Sequence, residues 1–123
     1  MRIFLVDMEN VPHLTSLKKL SDDDMVLLFY TENTPAMKME TLHTMMETNA
    51  LVRCKKVYVG TRNALDFQLS SYLGYLINTY PDAELIIISK DTGYDVVRKF
   101  WLSEKKIKIK RQDNIGTSNK PQI

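Results

Sequence analysis

The sequence predicts an α/β domain, a single three-layer unit in which a mostly parallel sheet of about five strands is flanked by helices. Short apolar runs alternate along the chain with longer segments of helical period. Residues 3–6, 25–30 and 85–88 are apolar without interruption, as strands buried on both faces of a parallel sheet are. Parallel strands need crossover connections, and the helical segments lie where those crossovers belong.

The first strand is the run Ile3-Phe4-Leu5-Val6. Leu14, Leu17 and Leu20 then repeat at helical spacing, ahead of a second strand at residues 25–30. Met39, Leu42, Met45 and Met46 mark a further helix, and their spacing assigns them, with Met37, to packing rather than to a partner surface. A third strand is expected at residues 57–59, with an extension back toward Leu51. Leu65, Leu69, Tyr72, Leu73 and Leu76 form the stripe of a helix that begins near Asn63, and residues 85–88 are the fourth strand. Val96, Val97, Phe100 and Trp101 mark the last helix. The run Lys105-Lys106-Ile107-Lys108-Ile109-Lys110-Arg111 reads as a basic nucleic-acid patch or, better, as an edge strand centred on residues 107–109 whose outward lysines guard against edge-to-edge pairing, with phosphate attraction as a second use. The domain is expected to span residues 1–111, with residues 112–123 a polar, flexible tail.

The bulk numbers suit a small soluble domain. A chain of 123 residues buries roughly two-thirds of its unfolded surface, enough for a real core. Its 17 basic and 15 acidic residues leave a formal charge of +2, which neither demands nor excludes a nucleic-acid partner. The single cysteine, Cys54, rules out an internal disulfide and points to the reducing cytoplasm. His13 and His43 are isolated, so no Cys/His metal cluster is present. No stretch approaches the ~20 apolar residues of a membrane span, and the amino terminus lacks the form of a leader, so neither export nor membrane insertion is expected.

Four acids fall where strands run out. Asp7 follows the first strand, Asp91 and Asp95 follow the fourth, and Asp66 lies in the first turn of the helix after Asn63. The carboxyl ends of the strands of an open parallel sheet form its binding crevice, so these carboxylates point into one shared space. Such carboxylates do not all ionise cheaply in a partly dry cleft, whereas a hard divalent ion relieves the repulsion and acts on phosphate oxygens. Each acid alone also has a structural role open to it. Asp7-Met8-Glu9-Asn10 reads equally well as a turn, and Asp66 suits the positive end of a helix dipole. Thr92-Gly93-Tyr94-Asp95 matches a capping box. Caps have no reason to converge, however, and the first and fourth strands are expected to be neighbours where the strand order reverses.

Residues 4–11, Phe4-Leu5-Val6-Asp7-Met8-Glu9-Asn10-Val11, together with Asn63-Ala64-Leu65-Asp66-Phe67-Gln68-Leu69 and Ile86-Ile87-Ile88-Ser89-Lys90-Asp91-Thr92-Gly93-Tyr94-Asp95, resemble the PIN-like nuclease superfamily, in particular its NYN-type branch. The resemblance runs from Ile3 to about Ile109. Asp7 with Asn10 matches the first motif, Asp66 the helix-borne acid, and Ser89, Asp91 and Asp95 the third. Thr92, Gly93 and Tyr94 separate the last two acids where one residue is usual. The resemblance implies a Rossmann-like fold and a metal-dependent endonuclease, acting mostly on RNA, with magnesium or manganese held by Asp7, Asp66, Asp91 and Asp95. Single-stranded DNA as an alternative substrate and a homodimeric state are compatible with it.

Phosphodiester hydrolysis needs an activated water, a neutralised phosphate and in-line geometry, which carboxylate-held magnesium supplies. Asp7 and Asp91 are the best first ligands, and Asp66 serves a second ion or a metal-bound water. Asn10 and Ser89 are placed to fix a carboxylate or touch phosphate, and Thr61, Arg62 and Lys90 to hold the substrate backbone. Glu9 faces either the cleft or solvent. Two rivals stand beside this reading. One is a non-catalytic PIN-like module that binds nucleic acid or protein. The other is a haloacid-dehalogenase-type phosphatase, which needs Asp where Glu9 stands and gives Asp66 no role. None of the four glycines forms a phosphate-loop pattern.

Overall fold

A computed structural model describes residues 1–117. Five strands, β1 (Arg2–Asp7), β2 (Asp24–Tyr30), β3 (Leu51–Lys56), β4 (Glu84–Ile88) and β5 (Ile109–Gln112), form one sheet in the order β3-β2-β1-β4-β5. Every neighbouring pair is parallel. The chain lays β1, β2 and β3 outward in one direction, then returns to place β4 against the free side of β1. The order therefore reverses between β1 and β4, where Val6 lies opposite Ile88.

Strand side chains alternate between faces. Ile3 and Leu5 with Leu27, Phe29, Leu85 and Ile87 meet Leu65, Leu69, Leu73 and Leu76 of α2 (Ala64–Thr79) and Tyr94 of α3 (Tyr94–Lys105). Phe4 and Val6 with Val26, Leu28, Ile86 and Ile88 are covered on the opposite face by Met8, Val11, Leu14, Leu17 and Leu20. α1 (Met39–Glu47) packs on that second face through Met45. Among the described residues no helix is long and apolar enough to cross a membrane.

Several elements depart from the periodicity. The leucines at 14, 17 and 20 are buried, yet the segment holds only a 3-10 turn, Leu17–Lys19, entered through Ser16 in the left-handed region at φ 60°. Their spacing is met by an irregular strap rather than a helix. The third strand is Leu51–Lys56, not residues 57–59; Val57 ends the ladder by donating its N–H to the Tyr30 carbonyl at 2.8 Å. As an edge strand, β3 needs no apolar run. On α1, Met39 and Met46 are 76% and 78% exposed, and its buried residue is Thr41, so the stripe expected to pack faces solvent in large part. Val96 and Phe100 are likewise exposed, whereas Val97 and Trp101 pack inward.

α3 ends with Lys106 in the left-handed region, so β5 starts at Ile109 and reaches Gln112 rather than occupying residues 107–109. Beyond it the chain folds back. Ile115 is 1% exposed against the Phe4 face, and Asn114 Oδ1 accepts the Thr15 N–H at 3.1 Å. Of the expected polar tail, Gln112 ends β5, residues 113–117 fold back with Ile115 as their buried residue, and residues 118–123 lie outside the described residues.

Candidate active site

β1 carries Asp7 to the reversal point and ends there in a tight turn. The Asp7 carbonyl accepts N–H groups from Asn10 and Val11, and Asn10 N–H also approaches Asp7 Oδ1 at 3.3 Å. β4 ends beside it in buried Ser89, whose hydroxyl donates to Asp7 Oδ2 at 3.3 Å and accepts the Asp91 N–H at 3.1 Å. Asn10 Oδ1 accepts the Lys90 N–H at 2.7 Å, tying the two strand ends together. Gly93 N–H donates to Asp91 Oδ1 at 2.8 Å; a Cβ at Gly93 would lie 3.0 Å from that oxygen, so the close approach suits glycine.

α2 brings Asp66 in from the other side. Its helix starts after Asn63, which adopts the left-handed conformation at φ 64° and turns the chain from the β3 edge back over the sheet. Asp66 lies in the first turn, while Leu65 and Leu69 bury the flanking stripe. Asp7, Glu9, Asn10, Arg62, Asp66 and Asp91, together with Thr31 and Thr61, line one open cleft of about 430 Å³. Glu9 therefore faces the cleft, and its Oε1 accepts the Thr31 hydroxyl at 2.9 Å. The Lys90 side chain is exposed and is not among the lining residues.

Asp95 is not brought to the cleft. Its Oδ1 accepts Arg98 Nη1 at 2.9 Å and Arg111 Nε at 3.0 Å. Partial burial pushes its carboxyl upward, but the hydrogen bonds and charges of Arg111 and Arg98 hold it below the usual carboxylate range. Nor does the capping box form: Gly93 is the cap of α3, with no side-chain bond to the helix. The expected fourth ligand is a buttress between α3 and β5.

Tyr94, absent from the sequence-derived site, occupies the place expected for it. Its buried hydroxyl lies 3.3 Å from Asp7 Oδ2 and 3.1 Å from Asp66 Oδ1, so one phenol proton serves two carboxylates. Burial, then the charges of Asp7 and Asp66, push this hydroxyl above its ordinary range, so it remains a donor. The signal was the spacing of Tyr94, Val97 and Trp101, all packed in one core cluster, which places Tyr94 on the inner stripe of α3. Thr31 was legible from the carboxyl-edge rule, since it follows the last residue of β2.

The electrostatics are those of an uncompensated acidic cleft. Burial pushes the Asp7 carboxyl up to about 6, against the pull of the Asn10 N–H and with help from the Asp66 charge. Burial also raises Asp66, opposed by the Tyr94 hydroxyl and reinforced by Asp91 and Glu9. Among the described residues none of Asp7, Glu9, Asp66 and Asp91 has a cationic partner. All their donors are oxygen, the chemistry that suits a hard divalent cation. Among the described residues no group of three or more His, Cys, Asp or Glu side chains is already arranged to hold a metal ion; Asp7 and Asp66 are bridged by a phenol instead.

The family model described as PIN domain matches residues 1–112, from β1 to the last residue of β5. PIN domains are typically metal-dependent nucleases, acting on nucleic acids and generally using divalent ions such as magnesium or manganese. Searches of characterised proteins and of solved structures give no match.

Proposed function

The chain belongs to the PIN domain family, and we propose that it is a metal-dependent endonuclease of the NYN-type branch that hydrolyses phosphodiester bonds in single-stranded RNA. The observation that carries this reading is the set of carboxylates at the β1–β4 reversal, two of them held above their ordinary range and none with a cationic partner among the described residues. A structural acid is normally compensated as Asp95 is; Asp7, Asp66 and Asp91 are left for an ion. Asp7 and Asp91 would hold magnesium or manganese, and Asp66 and Glu9 border the same space. A divalent ion held there would neutralise phosphate charge and lower the pKa of an attacking water. Ser89, Asn10 and Tyr94 fix the carboxylate orientations through the bonds described above. Arg62 and Thr61, on the cleft wall, receive the phosphate backbone. The exposed thiol of Cys54 suits a cytoplasmic setting.

One observation favours a second reading, a non-catalytic PIN-like binder: Tyr94 bridges Asp7 and Asp66 where a gathered ligand set would otherwise stand. Labelled single-stranded RNA with manganese, with EDTA, and with the Asp7→Asn protein separates the two. Cleavage confined to the parent with metal supports the nuclease. Binding without cleavage in any metal supports the binder.

A further inference from the structure

Residues 51–79 contain four cations, Arg53, Lys55, Lys56 and Arg62, and a single acid, Asp66, which belongs to the cleft. None of these four cations is in an ion pair among the described residues. The same stretch exposes large aromatic side chains: Tyr58 by 87%, Phe67 by 65% and Tyr75 by 57%. One exposed aromatic is ordinary; three in one basic stretch of this size are not.

Their placement is built. Gln68 clamps the Tyr58 backbone from both sides, with Tyr58 N–H donating to Gln68 Oε1 at 3.2 Å and Gln68 Nε2 donating to the Tyr58 carbonyl at 2.8 Å. That pairing holds the Tyr58 backbone to α2 while its ring stands in solvent. Phe67 and Tyr75 are eight positions apart on the exposed side of the same helix, about 12 Å along its axis. Beside Tyr75, a groove of about 400 Å³ between the end of β3 and α2 is lined by Lys55, Lys56, Gln68, Ser71, Tyr72 and Tyr75 among others. Lys55 Nζ sits 4.9 Å from the centre of the Tyr72 ring, which packs against Tyr75 at 5.3 Å. The tract reaches the cleft without a gap in sequence, because Val59 and Arg62, just beyond Tyr58, and Asp66, just before Phe67, line the cleft wall.

We propose that the β3–α2 edge, with Tyr58, Phe67 and Tyr75 as stacking surfaces and Lys55, Lys56 and Arg62 as phosphate contacts, is a binding tract that leads a single-stranded nucleic acid into the acidic cleft. Unpaired bases offer flat faces to aromatic rings, whereas a duplex hides them, so aromatics interleaved with cations select single strands without reading sequence. The proposal rests on the nuclease reading for its direction, since the strand must arrive at Asp7, but its binding step needs no metal.

Anisotropy of a fluorescein-labelled single-stranded RNA, measured in EDTA, tests it. Tyr58→Ala, Phe67→Ala and Tyr75→Ala should each weaken binding roughly 5- to 100-fold, with Tyr58→Phe restoring it. Lys56→Ala should lower affinity and reduce the salt slope by about one, and duplex RNA of the same sequence should not respond to the aromatic changes. Melting temperatures of these exposed-site variants, with Met46→Ala on α1 as a surface control, verify folding. Should an alanine variant unfold, the flat-ring test passes to Tyr58→Leu and Phe67→Leu, which keep apolar bulk and should still bind weakly. Parent-like affinity in the folded aromatic variants, or no single-strand binding by the parent, overturns the tract. A change in sedimentation without a change in RNA affinity also overturns it and makes the edge a protein interface. Tract-dependent binding without manganese-dependent cleavage leaves the tract and removes the nuclease; cleavage indifferent to the aromatics does the reverse.

Discussion

Asp7 is where folding and proposed chemistry conflict. Its carboxyl is nearly buried and pushed up to about 6, so the folded protein holds that proton more tightly than the unfolded chain does. A raised carboxyl contributes stability at low pH that is lost as pH climbs from about 4 through about 6. Metal-free protein should therefore lose stability across that window, and Asp66, shifted the same way, adds to the slope. Asp7→Asn should flatten it and raise the melting temperature in EDTA near neutral pH, by the equivalent of about 1–3 kcal/mol, as thermal denaturation against pH reads directly. Tyr94→Phe keeps the ring in the core but removes the shared proton; it should fold as the parent does and lose roughly 10- to 100-fold in metal affinity, measured by manganese titration. Asp95→Ala should behave oppositely to Asp7→Asn, losing about 0.2–1 kcal/mol in melts as its contacts with Arg98 and Arg111 are removed, while cleavage persists. Asp7, Asp66 and Asp91 could be placed from sequence because strand ends and helix starts locate backbone. Asp95 departs from that placement because two arginines decide its direction: Arg98, three residues on in α3, is a pair local spacing could have offered, whereas Arg111, on a strand sixteen residues away, leaves no trace in local pattern.

Elements buried on both faces were legible; elements with one face in water were less so. β1, β2 and β4 lie where the uninterrupted apolar runs put them, and the α2 stripe of Leu65, Leu69, Leu73 and Leu76 is buried as its spacing requires. β3 sits at the sheet edge, so Arg53, Lys55 and Lys56 replace the apolar run that would have marked it. The leucines at 14, 17 and 20 show that burial can follow helical spacing without a helix, since an irregular strap across the sheet satisfies the same contacts. Two substitutions test this packing by chemical denaturation. Leu69→Ala, at a fully buried site, should cost about 2–5 kcal/mol, while Asn78→Ala on the exposed side should cost almost nothing. Ile115→Ala should cost a similar amount if residues 113–117 belong to the folded body, as its burial against the Phe4 face indicates. A parent-like midpoint for Ile115→Ala would mean that the domain ends at β5.

At the scale of the whole molecule, one topological fact organises the rest: the sheet reverses between β1 and β4, and the two strand ends that meet there carry Asp7, Ser89 and Asp91. A crevice at a reversal point is the general consequence of an open parallel sheet. This chain fills it with acids and closes the opposite end of β1 with the fully paired Arg2–Asp24 fork, at 2.9 and 2.8 Å. Compensated charge at one end and uncompensated charge at the other is the polarity expected of a scaffold with its chemistry on a single edge. The most direct test is cleavage of labelled single-stranded RNA by the parent and the Asp7→Asn protein, each with manganese and with EDTA. The account predicts cleavage by the parent with manganese alone, and none by Asp7→Asn although that protein melts at or above the parent in EDTA. Cleavage that survives EDTA, or an Asp7→Asn protein that melts well below the parent yet still cuts RNA with manganese, would contradict it and reduce the acidic cluster to turn residues.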